Sequence, residues 1–132
     1  MLRGYLVKVQ EDKSRNSDYG LGVHDVTIKG DLDSLYTTLE VDCIDIVVRD
    51  IGGIKFNIVC DDEALLKDKP VLSAIDSKMK PMLCGNLLIC NNIGPELADL
   101  SDEDIDVIRN NLFVYPREED QHMLIGIMCD YA

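Results

Sequence analysis

The chain has 132 residues, 46% of them apolar, and a formal net charge of −12. This length suits one domain with its own core, so residues 1–132 are predicted to form a single domain. The charge excludes nucleic acid and anionic membrane as direct partners, because both carry the same sign as the protein.

The first half of the chain reads as strands with one short helix. A strand, a polar loop and a second strand are predicted at "LRGYLVKVQ", "EDKSRNSDYGLG" and "VHDVTIK". "GDLDSLYTTLE" has helical apolar spacing, and Asp31 or Asp33 can cap it. "IDIVVRD" and "IKFNIVC" flank a glycine pair, which predicts a β-hairpin.

The second half mixes acidic and apolar segments. "DDEALLKDKPVL" predicts a helical turn followed by a loop, and "PMLCGNLLICN" one central strand. "SDEDIDVIRNNLF" predicts a helix, and "REEDQHMLIGIMCDYA" an acidic loop followed by a strand. We therefore expect an α+β fold, with a small, mostly antiparallel sheet of about five strands and two to three short helices.

The acidic start of the second helix has a local explanation. Ser101 is placed as the N-cap, and Asp104 stands where a capping box has its acid. Asp102 and Glu103 lie in the first turn, where the helix dipole favours negative charge. What helix chemistry leaves unexplained is the shortage of counter-charges, since only Arg109 follows these acids at helical spacing.

The charge is concentrated in the last third of the chain. Residues 89–132 carry ten acids against Arg109 and Arg117, a net −8 of the total −12. If the tail folds beside the helix, its acids join those of the helix in one negative face. The predicted partner-binding residues are Asp102, Asp106, Glu118, Glu119 and Asp120. They would pair with Lys and Arg of a cationic groove; the competing interpretation is that the charge serves solubility alone.

No catalytic, cofactor-binding or metal-binding residues are predicted. His24 and His122 lack a recognisable motif, and His24 is expected to be a half-buried structural residue. "GDLDSL" lacks the glycine of a calcium loop, and no glycine pair matches a phosphate loop. The five cysteines mostly lie in apolar runs without a CxxC, which predicts reduced core thiols. No signal peptide or membrane span is predicted, so we expect a cytoplasmic protein.

The element order from Thr27 to Phe113 resembles a small family of uncharacterised proteins, a domain of unknown function from phages, plasmids and integrated elements of Firmicutes. The matching segments are "DLDSLYTTLE", "IDIVVRDIGGIKFNIVCDDEALL", "KDKPVLSAID", "MLCGNLLICN" and "ADLSDEDIDVIRNNL". The resemblance makes residues 27–113 the family-like core and 114–132 a C-terminal extension. "PVLSAID" departs from the family by lacking its Asn-Arg pair.

The resemblance implies a bacterial mobile element, whose small acidic proteins often antagonise host defence nucleases. Together with the charge, it predicts a non-enzymatic protein that binds a protein partner, in its specific form a nucleic-acid mimic that inhibits a defence factor. The alternative is a structural or assembly domain, a homodimer joined through a strand edge, with "HMLIGIMCDY" as the candidate edge. A hydrolase that uses scattered carboxylates is a third, minor reading.

Overall fold

Two β-sheets and two short helices make up the computed structural model, which describes residues 1–8, 22–64, 71–93, 96–116 and 123–132. The described chain is mostly β, so the predicted α+β fold with one sheet of about five strands is wrong. The physical reason is that short strands pair with partners distant in sequence, which local periodicity does not reveal.

The elements follow one another closely along the chain. They are β1 (Leu2–Lys8), β2 (Gly22–Ile28), α1 (Leu32–Leu39), β3 (Ile44–Ile51), β4 (Ile54–Asp61), β5 (Leu72–Ile75), β6 (Pro81–Cys84), β7 (Leu87–Asn91), α2 (Asp102–Arg109), β8 (Leu112–Pro116), β9 (Met123–Met128) and β10 (Asp130–Tyr131). The large sheet has the order β10-β3-β4-β7-β1-β2, and the small sheet the order β6-β5-β9-β8. Their strand pairs are antiparallel except for β5 with β9.

The predicted hairpin is confirmed as β3 and β4. Gly52 and Gly53 have φ angles of 61° and 90°, which a two-residue hairpin turn requires and side chains disfavour. The Asp50 carboxylate accepts the N–H of Gly53 at 2.8 Å and closes the turn. The first predicted helix is confirmed as α1, with Asp31 as its cap.

Successive side chains of each strand point to opposite faces of the large sheet, and each face packs against other elements. One face packs on Leu35 and Leu39 of α1. The other packs on Ile105 and Ile108 of α2 and on Ile127 of the small sheet. The molecule is therefore layered, with α1 on one side of the large sheet and both α2 and the small sheet on the other.

Several sequence predictions need correction. The run "PMLCGNLLICN" is not one strand, because Gly85 takes a φ of 80° and the chain passes from β6 of the small sheet to β7 of the large one. The second helix ends at Arg109, and Leu112 already belongs to β8. His24 is exposed, not half-buried. No helix in the described ranges has the length and apolarity needed to span a membrane.

The tail strand is confirmed as β9, but its position differs from the expected edge. It lies between β5 and β8: β8 pairs with residues 123–127 on one side, and β5 pairs with Ile127 and Met128 on the other. Of the candidate edge "HMLIGIMCDY", Asp130 and Tyr131 alone form an outer strand, β10, at the end of the large sheet. The apolar part of the tail is therefore an inner strand of the small sheet, not the outer edge that the sequence predicted.

Candidate functional site

The first turn of α2 is held by a capping box, as the sequence predicted. The Ser101 hydroxyl accepts the N–H of Asp104 at 3.1 Å, and the Asp104 carboxylate accepts the N–H of Ser101 at 2.9 Å. The same carboxylate oxygen accepts the side-chain amide of Asn91 at 3.0 Å. Asp104 is thus engaged in fixing the helix to β7, and the outward acids are its neighbours.

Arg3 of β1 gathers three carboxylates from distant parts of the chain. Its Nε and Nη2 donate to the two oxygens of Asp25 at 3.1 and 2.8 Å, a bidentate pair across β1 and β2. Its Nη1 donates to Asp102 at 2.8 Å, and its backbone N–H donates to Asp99 at 2.8 Å. The N-terminus of α2 is therefore anchored to the β1–β2 edge of the large sheet.

Arg3 and Asp25 shift each other's pKa. The hydrogen bonds from Arg3 hold the pKa of the Asp25 carboxyl below its ordinary value, and the charge of Arg109 acts in the same direction. The hydrogen bonds to Asp25 and Asp102 raise the pKa of Arg3 above its ordinary value. Both groups therefore stay ionised wherever the protein is folded near neutral pH.

The acids around Arg3 continue along the outer side of α2. The Asp102 side chain is 88% exposed although it is paired, so the ion pair leaves most of it in solvent. Glu103 and Asp106 are also exposed, and Asp106 follows Asp102 by one helical turn. We call this surface the acidic face; its members are Asp25, Asp99, Asp102, Glu103 and Asp106.

Two of the five predicted site residues, Asp102 and Asp106, are thus placed on one face. Glu118, Glu119 and Asp120 lie outside the described residues. The sequence did not point to Asp25 and Asp99, because their proximity to α2 depends on strand pairing between distant segments. The predicted counter-charge Arg109 lies over the Tyr5 ring, 5.8 Å from its centroid.

A cleft of about 410 Å³ lies on the side of the large sheet that carries the small sheet, between the β3–β4 hairpin and β6. Its polar lining includes the carboxylates of Asp45, Asp61 and Asp62. Its apolar and thiol lining consists of Val47, Cys60, Ala64, Pro81, Met82, Leu83 and Cys84. The cleft therefore combines negative charge with an aliphatic wall.

The thiols of the described chain are all free, as predicted. Cys60, Cys90 and Cys129 are buried, while Cys43 and Cys84 are half-buried. Burial raises the pKa of Cys60 and of Cys129 to about 11 and that of Cys90 to about 12. In the ranges that the structure describes, no three His, Cys, Asp or Glu side chains converge as metal ligands would.

Comparison with known protein families identifies a match over most of the chain. The sequence model of the family described as "Domain of unknown function (DUF3846)" matches residues 18–112. The matched segment contains β2 to β7 and both helices, and it leaves out β1, β9 and β10. No curated protein and no solved structure matches the chain.

Proposed function

We propose that this chain, which belongs to the family described as "Domain of unknown function (DUF3846)", binds a protein partner: its acidic face pairs with Lys and Arg side chains of that partner. The observation that carries this is the meeting of Asp25, Asp99 and Asp102 on a single base, Arg3. Arg3 and Arg109, whose charge also reaches Asp25, offset two of these three charges, so the cluster keeps a net negative charge.

Glu103 and Asp106 add two exposed carboxylates to that excess. Each exposed ion pair formed with a partner contributes little, about 0.2–1 kcal/mol, so affinity would come from several pairs together. The larger effect is on association, because a field of one sign steers an oppositely charged partner and is weakened by salt. The proposed complex is therefore salt-sensitive.

More specifically, we propose that the chain is a cytoplasmic, non-enzymatic protein of a phage or mobile element in a Firmicutes host. There, carboxylates would stand in for phosphates in the groove of a nucleic-acid-binding defence factor. This part rests on the charge and on analogy with other small acidic proteins of such elements. Glu118, Glu119 and Asp120 are included in the proposed surface because they form the next acid run after β8.

The test is retention of a partner from bacterial lysate at low and high salt, with and without competing DNA. The double variant Glu103→Gln with Asp106→Asn removes two negative charges and should no longer retain the partner. From the parent protein, added DNA should displace the partner. Asp33→Asn with Glu63→Gln removes the same two charges from exposed sites elsewhere and serves as the control. Equal losses with both pairs would show that net charge, not this face, is responsible.

Glu118, Glu119 and Asp120 need a separate variant. Changing all three to Lys should abolish retention and leave the melting temperature nearly unchanged. Intact binding by this variant would remove the three residues from the proposed surface.

Self-association through a strand edge remains a second candidate, now at β2. This seven-residue strand ends the large sheet, and no described strand pairs with its outer side. A dimer seen by light scattering and stable in high salt would favour it, because backbone pairing is little screened.

A further inference from the structure

The outer edge of β3 is incompletely covered. β10 pairs with β3 at Arg49 and Asp50, and among the described residues no strand lies beside residues 44–48 on that side. An edge of this kind presents backbone N–H and C=O groups that can pair with another extended chain.

Two of these edge groups are satisfied by neighbouring side chains. The Asp45 carboxylate accepts the N–H of Ile46 at 2.9 Å, and Arg49 Nη1 donates to the C=O of Val48 at 2.9 Å. Both are contacts between adjacent residues at the surface, so an incoming strand can replace them with its own C=O and N–H. The edge is therefore blocked by side-chain contacts that are exchangeable, not by a covering element.

The open edge borders the cleft. Asp45 and Val47 of β3 form one wall, and β6, the terminal strand of the small sheet, forms the other. A chain laid along residues 44–48 would direct alternate side chains into this cleft. Its volume of about 410 Å³ lies within the range of sites that hold small ligands.

The chemistry of the cleft selects the side chain. Asp45, Asp61 and Asp62 supply negative charge, and no Lys or Arg of the described chain lines the cleft. Val47, Met82 and Leu83 supply an aliphatic wall. A Lys or Arg matches both, with apolar methylenes against the wall and a cationic head at the carboxylates. A second copy of β3 does not, since it would bring Asp45 and Asp50 against acids.

We propose that an extended, Lys- or Arg-containing segment of a partner protein adds to the open edge of β3 and inserts a basic side chain into the cleft. The segment's C=O takes over the N–H of Ile46, and the freed Asp45 carboxylate pairs with the basic head group. Affinity then comes from main-chain pairing and specificity from the cleft. This site shares no residue with the acidic face, and β3 lies four strand spacings, roughly 19 Å, from β2, which carries Asp25.

The experiment uses the full chain and a labelled peptide of alternating Lys and Val, followed by fluorescence anisotropy. Asp45→Asn with Asp62→Asn should weaken binding about tenfold, the effect of losing two partly desolvated ion pairs. Asn at 45 keeps a side-chain oxygen for the N–H of Ile46, so folding is preserved. Glu103→Gln with Asp106→Asn removes the same charge from the acidic face and should leave this affinity unchanged.

A second arm tests strand pairing. The same peptide with alternate backbone nitrogens methylated keeps its charge but loses its donors, and it should not bind. In the complex with the unmodified peptide, the amide signals of Ile46 and Val48 should shift, while those of β2 should not.

Three results would overturn the proposal. The first is no binding of the unmodified peptide, and the second is equal binding of the methylated one. The third is an effect of the acidic-face variant as large as that of the cleft variant, which would assign the peptide to the acidic face. If no partner is retained from lysate but the peptide binds as expected, the proposed function of the acidic face fails and the proposal for the cleft stands.

Discussion

Arg3 Nη1 and Asp102 Oδ1 lie 2.8 Å apart, although the two residues are 99 positions apart in the sequence. The same guanidinium holds Asp25 in a bidentate pair, and the C=O of Arg3 accepts the N–H of Leu100 at 3.0 Å. Backbone and side chain of one strand residue thus fix the start of α2, and with it the orientation of the acidic face.

The Arg3–Asp25 pair makes stability depend on pH. Because Arg3 lowers the pKa of Asp25 in the folded state, the pair stabilises the protein above the ordinary carboxyl pKa of about 3.9. That contribution is lost as the pH falls from there through the lower folded pKa. Asp25→Asn should therefore unfold at lower urea than the parent at pH 7, and the gap should narrow as the pH falls below the ordinary carboxyl pKa. A gap that stays constant as the solution is acidified would mean that the carboxylate charge is not the cause.

Gly126 of β9 is required by a close approach. A Cβ there would lie 2.7 Å from the Phe113 ring and 2.7 Å from the C=O of Ser73. Because a backbone oxygen cannot give way cheaply, Gly126→Ala should cost about 1–3 kcal/mol of unfolding free energy. Gly30→Ala is the control, since its Cβ would meet nothing closer than 3.7 Å. Urea unfolding checks both, and equal midpoints for the two variants would contradict the packing argument.

Asn86 joins the β6–β7 connection to α1. The residue is 3% exposed, and its side-chain amide donates to the C=O of Leu39 at 2.9 Å. Asn86→Ala should destabilise the fold by about 1–3 kcal/mol, because a buried acceptor at the end of α1 loses its donor. Asn86→Asp should be worse, since it puts a carboxylate oxygen against that carbonyl. Thermal unfolding would rank the variants; an Asp variant as stable as the parent would refute the role of the donated hydrogen bond.

The thiols should divide into two reactivity classes. With pKa values of about 11 to 12, the buried Cys60, Cys90 and Cys129 hold almost no thiolate at pH 8. Iodoacetamide should therefore modify Cys43 and Cys84 in the folded protein, and all five cysteines in urea. Mass spectrometry of peptides identifies which cysteines carry the label. Rapid labelling of Cys90 without denaturant would show that the α1 side of the large sheet opens.

Local patterns predicted the elements that local chemistry determines. The glycine pair at 52 and 53 and the Ser101 cap both act within a few residues, and both predictions are confirmed. The small sheet was missed because β5 has four residues and β8 begins where a helical apolar spacing still continues to Leu112. The run "PMLCGNLLICN" is apolar on both faces, and this pattern fits one central strand as well as two strands buried in different sheets. Gly85 was therefore not identified as the break between β6 and β7.

The same limit applies to the surface. The sequence indicated Asp102 and Asp106 because they belong to the acid-rich second helix, in which only Arg109 follows as a counter-charge. It did not indicate Asp25 or Asp99, which reach Arg3 through the β1–β2 register and the segment before α2. The cleft was missed for the same reason, since its two walls belong to different sheets.

The position of β9 between β5 and β8 has a consequence for synthesis on the ribosome. Both neighbours precede β9 in the chain, so β5, which pairs with β6 on its other side, and β8 each wait for β9 to emerge. From Ile75 to Met123 the ribosome adds about fifty residues, which takes roughly 2–10 s at ordinary rates. Through that interval the edge of β5 that β9 later covers is open to chaperones and to other nascent chains, and β8 adds a second open edge once Leu112 to Pro116 have been made. The fold's exposure to aggregation is therefore governed by translation speed over this stretch.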